Sequence, residues 1–384
     1  MRKRPRRVFY AWVFIFLALT HPFHVFIFEI FLGGPTMWDI IWAIVLLVVG
    51  FVFLVKGADW FVDGAAGLAA KLRIPQLVIG LTIVAFGTSA PELATSVISA
   101  SKHSVGIAIG NILGSNICNV LLILGLSAII ANLPIQKDSL KIDIPVVLGA
   151  SILIILFGET GGEIDRIEGV IMTAILIGYT AYLIIGALKN REKEGGMIEL
   201  NDHGVVVEDE EEPKNGFEAW YEKMKAFTWF LAVATVVGLG IVVGGAMMAV
   251  EGAKTIAGKL GVSENIIGLT VVAIGTSLPE LITSVMAAKK GETDIAVGNI
   301  VGSNIFNILM VGGISSIIFP LPFAPKGVSF LPDGLIALGA VAILALFAYL
   351  PGHKLKRWHG VVMFVGAIGY YVYTVLCATG VIVF

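Results

Sequence analysis

The chain has 384 residues, 57% of them hydrophobic and 14% charged, with a mean hydropathy of +0.92. That excludes a soluble multidomain protein and implies a polytopic membrane protein. A formal net charge of −2 points to no nucleic-acid partner, and the two cysteines, Cys118 and Cys377, lie in apolar runs and supply neither a disulfide framework nor a zinc site.

Apolar runs of about 20 residues, the length that crosses the hydrocarbon, fall near 8–32, 38–56, 75–101, 104–131, 142–158, 166–188, 226–250, 264–288, 293–318, 330–350 and 359–382. The first follows Arg2, Lys3, Arg4, Arg6 and Arg7. No A-x-A-like cleavage site follows it and its length suits a retained helix, with a cleaved signal peptide as the alternative. The longest polar segment, 189–225, carries the acidic run Glu208, Asp209, Glu210, Glu211 and Glu212 and divides the chain into halves. Cytoplasmic loops of membrane proteins are enriched in Lys and Arg. With the N-terminus inside and the spans alternating, 20 Lys and Arg fall inside, 5 outside and Lys56 at a boundary. The expected organisation is a basic N-terminus with an extra hydrophobic helix (1–37), a first repeat (38–188), a cytoplasmic acidic loop (189–225) and a second repeat (226–384) ending outside the membrane.

The repeats are explicit. Residues 80–125, GLTIVAFGTSAPELATSVISASKHSVGIAIGNILGSNICNVLLILG, align without a gap to 268–313, GLTVVAIGTSLPELITSVMAAKKGETDIAVGNIVGSNIFNILMVGG, with 28 identities in 46 positions. FVDGAAGLAAKL (61–72) resembles AVEGAKTIAGKL (249–260) at the same offset of 188. Corresponding spans lie five crossings apart, an odd number, so the copies enter the membrane from opposite sides. Inverted repeats with Gly/Pro-interrupted helices are an architecture of secondary transporters, whose site lies near the midplane where the copies meet.

Each copy places a glutamate in a span, Glu92 and Glu280, and a carboxylate at that depth is by default functional. Thr88 and Glu92 share a helical face, with Ser89 about 100° around; Thr276, Ser277 and Glu280 repeat the arrangement. Pro91 and Pro279 disturb the turns holding Gly87 and Gly275, which is expected to release carbonyl oxygens around Ala85–Thr88 and Ala273–Thr276. In the next span of each copy, Ser115 and Asn119, and Ser303 and Asn307, place a hydroxyl and an amide on one face. Asn111, Asn116, Asn299 and Asn304 lie on other faces and are expected to bond between helices. Gly110, Gly114, Gly298 and Gly302 form small-xxx-small patterns that suit close helix packing. Two carboxylates, hydroxyls, amide oxygens and freed carbonyls, without repeated His or Cys, make an oxygen-only donor set. Such a set suits hard cations: Ca²⁺, which takes about 6–8 oxygens, or several Na⁺. Competition of the two for the same carboxylates would couple their fluxes.

GTSAPELATS and GTSLPELITS resemble the alpha repeats of the cation/calcium exchanger superfamily, and its sodium/calcium exchanger branch in particular; the resemblance covers about 38–384. It implies an all-α polytopic membrane protein of ten helices in two inverted five-helix repeats, here with one extra N-terminal helix, in the plasma membrane of a prokaryote. It also implies exchange of Ca²⁺ for Na⁺ by alternating access, with no cofactor and no obligate protein partner. Matched residue by residue, it implicates the carbonyls of Ala85 and Ala273, with Thr88, Ser89, Glu92, Ser115 and Asn119, and Thr276, Ser277, Glu280, Ser303 and Asn307. Some relatives carry Asp where Asn307 stands, a difference associated with K⁺ co-transport, so Asn implies K⁺ independence. Animal relatives carry calcium-binding β-sandwiches in the central loop, and the 37 residues of 189–225 cannot hold one domain of about 100 residues. The alternatives are a proton/calcium antiporter, in which a glutamate titrates during the cycle, and a passive cation channel, although channels usually assemble symmetric rings. An enzyme is disfavoured: the spans hold no HExxH, no facing aspartate pair and no serine/histidine pair.

Overall fold

The computed structural model describes residues 37–101, 105–194, 224–259, 273–324 and 329–378, which leaves the expected 8–32 span, the acidic run and the start of the 264–288 span outside the described residues. Within them the protein is helical apart from four two-residue strands.

Helix α1, Met37–Leu72, runs 36 residues, about 54 Å at 1.5 Å per residue and well beyond the 30 Å of hydrocarbon. It exceeds the expected 38–56 because Asp59, Asp63 and Lys71 continue it past the apolar stretch, and it stops where Arg73 turns left-handed (φ 53°) just before Pro75. Next come α2, Gln76–Thr88, and α3, Ala90–Ser101, bent by 41° to one another. The break is at Ser89 (φ −82°, ψ 2°), two residues before Pro91, whose ring cannot continue the preceding turn. Helix α4 starts as Val105–Ile117, widens into a π-helical stretch, Cys118–Leu124, and closes with Gly125–Ile130. Strand β1 (Leu133–Pro134), α5 (Ile144–Thr160, led in by the π-helical turn Ser139–Asp143), β2 (Glu163–Ile164) and α6 (Arg166–Glu194) complete the first half.

The second half repeats the order as α7 (Thr228–Lys259), α8 (Ala273–Thr276), α9 (Leu278–Lys289) and α10 (Thr293–Phe306, with a π-helical stretch Asn307–Gly312 and a last turn Gly313–Ile318). It ends with β3 (Leu321–Pro322), α11 (Leu331–Tyr349), β4 (Lys354–Leu355) and α12 (Arg357–Ala378). Eight helices are long and apolar enough to cross a membrane, and the bent α2/α3 pair makes a ninth span among the described residues. The protein is an all-α polytopic membrane protein.

Strand pairing fixes the relation of the halves. β1 pairs with β4 and β2 with β3. β1 and β3 are repeat mates, each following the span that carries GSN. The α5 span separates β1 from β2, so β1 lies at one membrane face and β3, paired with β2, at the other. The halves are therefore inverted.

The core is built on glycine. A Cβ added at Gly50 would lie 2.6 Å from the Ala249 backbone nitrogen, and one at Gly57 2.8 Å from that of Val242, so α1 and α7 pack backbone to backbone. On α10 a Cβ at Gly298 would lie 2.8 Å from the Leu77 carbonyl, and one at Gly302 2.7 Å from the Ala85 Cβ, as the small-xxx-small pattern predicts. At Gly110 a Cβ would meet only Phe330, at an ordinary 3.6 Å, and at Gly114 nothing within 4 Å among the described residues, so the close packing expected of those two glycines is not seen there. Helices α4 and α10 form the buried centre, while α1, α6 and α12 carry exposed apolar side chains such as Trp42, Ile177 and Val365, a surface suited to lipid.

Candidate cation-binding site

The bends of α2/α3 and α8/α9 bring the two carboxylates into one buried centre. Glu92 and Glu280 are both 0% exposed, and no Lys or Arg is buried among the described residues. Each carboxylate is met by the serine of the opposite repeat: the Ser89 hydroxyl donates to Glu280 Oε1 at 3.3 Å and the Ser277 hydroxyl to Glu92 Oε1 at 3.4 Å. Ser277 Oγ also lies 3.3 Å from Ser115 Oγ. Thr88 Oγ1 lies 3.0 Å from Asn299 Oδ1 and 3.4 Å from Ser303 Oγ, and Thr276 Oγ1 lies 3.3 Å from Asn111 Oδ1. The pseudo-two-fold relation thus extends to single side-chain atoms.

The structure leaves particular oxygens unspent. Glu92 Oε2, Glu280 Oε2 and both polar side-chain atoms of Asn119 and Asn307 are buried and find no hydrogen-bond partner among the described residues. Buried polar groups in folded proteins are nearly always paired, so a cluster of orphans in both copies marks a place built for something else. Asn119 and Asn307 sit at the start of the π-helical stretches, a distortion often found at functional sites.

The asparagines on other faces bond between helices as expected. Asn111 Nδ2 donates to Ser96 Oγ at 2.9 Å and Asn299 Nδ2 to Ser284 Oγ at 2.8 Å. Asn116 and Asn304 each donate to the other's backbone carbonyl at 3.4 Å.

One expectation is corrected. The Ala85 carbonyl is not released by Pro91: it accepts the Ser89 N–H at 3.0 Å and faces Thr88 Oγ1 at 3.4 Å. The proline deletes the bond to Gly87, and with the break at Ser89 the Phe86 and Thr88 carbonyls also lack a backbone N–H partner among the described residues, so the release falls on 86–88. Ala85 retains only its second lone pair for a ligand. The backbone of Ala273 occupies the same place at the start of α8.

The chain matches the sodium/calcium exchanger protein family over residues 42–185 and 230–376. It belongs to that family. The sodium/calcium exchanger MaX1 of Methanosarcina acetivorans is 35% identical over 83% of this chain and 94% of its own length. The inner membrane protein YrbG of Escherichia coli is 34% identical over 85% of this chain and 94% of its own. The solved structure of the sodium-calcium exchanger NCX_Mj, soaked with Na⁺ and Sr²⁺, superposes with a TM-score of 0.71 at 32% identity, covering 87% of this chain and 98% of that one. The protein is thus a membrane ion exchanger and not an enzyme.

Sequence reasoning missed a second pair of repeated acids. Tyr179 donates to Asp143 Oδ1 at 2.8 Å, tying α6 to the start of α5, and Tyr370 donates to Asp333 Oδ1 at 3.2 Å, tying α12 to α11. The signal was present in the spacing, since Asp143 and Asp333 are 190 apart and Tyr179 and Tyr370 are 191 apart, but it lies beyond the gapless block.

Proposed function

We propose that the protein exchanges Ca²⁺ for Na⁺ across the membrane by alternating access, independently of K⁺. The proposed site is formed by Glu92 and Glu280, the hydroxyls of Thr88, Ser89, Ser115, Thr276, Ser277 and Ser303, the amides of Asn119 and Asn307, and the carbonyls of Ala85 and Ala273. The observation that carries this reading is a surplus of oxygen over hydrogen. Ser277 has one proton to share between Glu92 and Ser115, and Thr88 one to share between Asn299 and the Val84 carbonyl, while the second oxygens of both glutamates have none. Oxygens held 3.0–3.4 Å apart are spaced much as neighbouring ligands of one Ca²⁺ are, about 3.3–3.7 Å for bonds near 2.3–2.6 Å at right angles. Two buried carboxylates without a buried Lys or Arg call for a cation or for protons; one Ca²⁺ or two Na⁺ would balance them. The exchanger relatives MaX1 and NCX_Mj support the same ion pair. K⁺ independence rests on Asn at position 307.

For orientation we propose the central loop and 225–226 inside and the C-terminus outside. Lys71, Lys225 and Lys290 gather at one end of the molecule, with Lys71 on the Ala226 carbonyl and Lys225 and Lys290 on Asp63, in keeping with a Lys-rich cytoplasmic face.

The test is Ca²⁺ uptake into proteoliposomes loaded with Na⁺, against vesicles loaded with K⁺ or choline and against an imposed pH gradient. Uptake that requires internal Na⁺ and ignores the pH gradient is the expected result. Uptake driven by protons would replace it with proton/calcium antiport, and uptake without a counter-ion with passive conduction.

A further inference from the structure

The two halves are near copies in sequence but not in exposure. Thr88 and Asn299 are completely buried, whereas their repeat mates Thr276 and Asn111 are partly exposed. Thr88 and Asn299 lie on the side of the site facing the start of α2 and α10, where Gly298 and Gly302 press on Leu77, Leu81 and Ala85. The site is therefore sealed toward the membrane face at which α1 and α9 end and α7, α2 and α10 begin.

At that face Lys290, the residue capping the C-terminus of α9, reaches α1. Its Nζ lies 2.6 Å from Asp63 Oδ1, 3.2 Å from Asp59 Oδ1 and 3.0 Å from the Asp59 carbonyl. Lys225, just before α7, holds the other Asp63 oxygen at 3.3 Å. The tie joins α9 to an α1 that packs on two sides: its Phe61–Ala69 stretch belongs to the main core, while its middle shares a cluster with α7. Leu54 and Ala58 of α1 cluster with Val242, Ala246 and Ala249 of α7, apart from the main core, and α9 touches that cluster only through partly buried side chains such as Leu278 and Ile282. The repeat is only partly faithful here: Lys290 is matched by Lys102 and Asp63 by Glu251, which is exposed, but Asp59 by Met247.

We propose that Lys290 with Asp59 and Asp63 is an ionic latch that holds the α1/α7 pair against α9 and keeps the site closed toward this one face. Resting on the alternating-access reading, the latch must break for the site to open there, so it sets the balance between the two access states without touching the ion.

The experiment is hydrogen exchange of the full chain in lipid nanodiscs, comparing Gln76–Thr88 and Thr293–Phe306 at the sealed face with Val105–Ile117 toward the other face. A half-exposed ion pair of this kind shifts an opening equilibrium by about 2- to 5-fold. Lys290→Gln is expected to raise exchange by that factor in the two sealed-face segments and not in Val105–Ile117. Lys290→Arg is expected to keep the wild-type pattern, and so is Glu251→Gln. An unchanged pattern in Lys290→Gln overturns the latch, and so does an equal rise in all three segments, which reports general loosening. Na⁺-dependent Ca²⁺ uptake by the wild type, measured in parallel, tests the exchange reading separately: its absence removes that reading while leaving the exchange pattern to decide the latch.

Discussion

Glu280→Gln isolates one charge at the site. The Ser89 hydroxyl that donates to Glu280 Oε1 can donate equally to a Gln oxygen, and the Gln nitrogen would stand where Oε2 has no partner, so shape and hydrogen bonding change little. What is lost is one negative charge beside the ion. Even at the dielectric of bulk water, a unit charge about 2.4 Å from a divalent ion is worth about 3 kcal/mol, or roughly two orders of magnitude in Kd. At a Ca²⁺ concentration about 100 times the wild-type Kd, binding stabilises the folded wild type by about 2.7 kcal/mol; with the Kd raised a hundredfold the same concentration gives about 0.4 kcal/mol. For a chain of this size that is about 3 °C of Ca²⁺-induced shift falling to about 0.5 °C. The assay is thermal unfolding in detergent with Ca²⁺ or chelator at one fixed scan rate, with Glu92→Gln as the mirror variant. A Ca²⁺-induced shift in Glu280→Gln equal to that of the wild type would refute the two-carboxylate site, whatever its transport activity.

Asn307→Asp adds a third carboxylate to the buried centre and is expected to alter cation dependence while the protein still folds; uptake with Na⁺, or Na⁺ with K⁺, on the trans side reads this out. Gly298→Val drives a branched side chain into the Leu77 carbonyl 2.8 Å away and should cost about 1–3 kcal/mol or more by overpacking. Gly178→Ala on α6 has nothing within 4 Å and should be neutral or stabilising by about 0.5–1 kcal/mol, so equal melting temperatures for the two variants would contradict the packing. Tyr179→Phe strips the buried Asp143 carboxyl of its 2.8 Å donor and is expected to lower stability by about 1–3 kcal/mol while sparing Ca²⁺-induced stabilisation, which a shift assay on the variant will check.

Much of this fold is legible because the repeat is written twice. Two matching blocks an odd number of spans apart require inversion before any helix is placed, and the strand pairs β1·β4 and β2·β3 realise it. The serines that meet the opposite glutamates, Ser89 and Ser277, were identifiable from the motif, although not that they cross between halves. The split between Asn119 and Asn307, with no side-chain partner at all among the described residues, and Asn116 and Asn304, whose amides donate across the halves, follows the faces read from the sequence, but the backbone there was not legible. Asn116 and Asn119 differ only in helical phase, and the π-helical stretch that begins at Cys118 resets that phase in a way no 3.6-residue pattern reveals. Of the carbonyls expected to be freed, only Ala85 keeps its partner, the Ser89 N–H, because the break falls at Ser89 and spares the bond before it.

The difference between the halves was least legible, for a physical reason. Identical motifs have identical local preferences, so nothing local explains why Thr88 is buried and Thr276 partly exposed. What differs is the packing around them: α10 presses on the start of α2 beside Thr88, with Gly298 and Gly302 against Leu77, Leu81 and Ala85. On the alternating-access reading proposed above, the inverted symmetry would give a second arrangement, with the roles of the halves exchanged, similar contacts and a similar energy. Departures from the repeat then decide which arrangement prevails without an ion. Asp59 is one such departure: Lys290 and Asp63 have Lys102 and Glu251 as repeat mates, but Met247 stands where a second Asp59 would be needed to copy the Lys290–Asp59 pair. A balance shifted by a few ion pairs of about 1 kcal/mol or less each is small enough for bound cations to reverse, which exchange through one site at two faces requires.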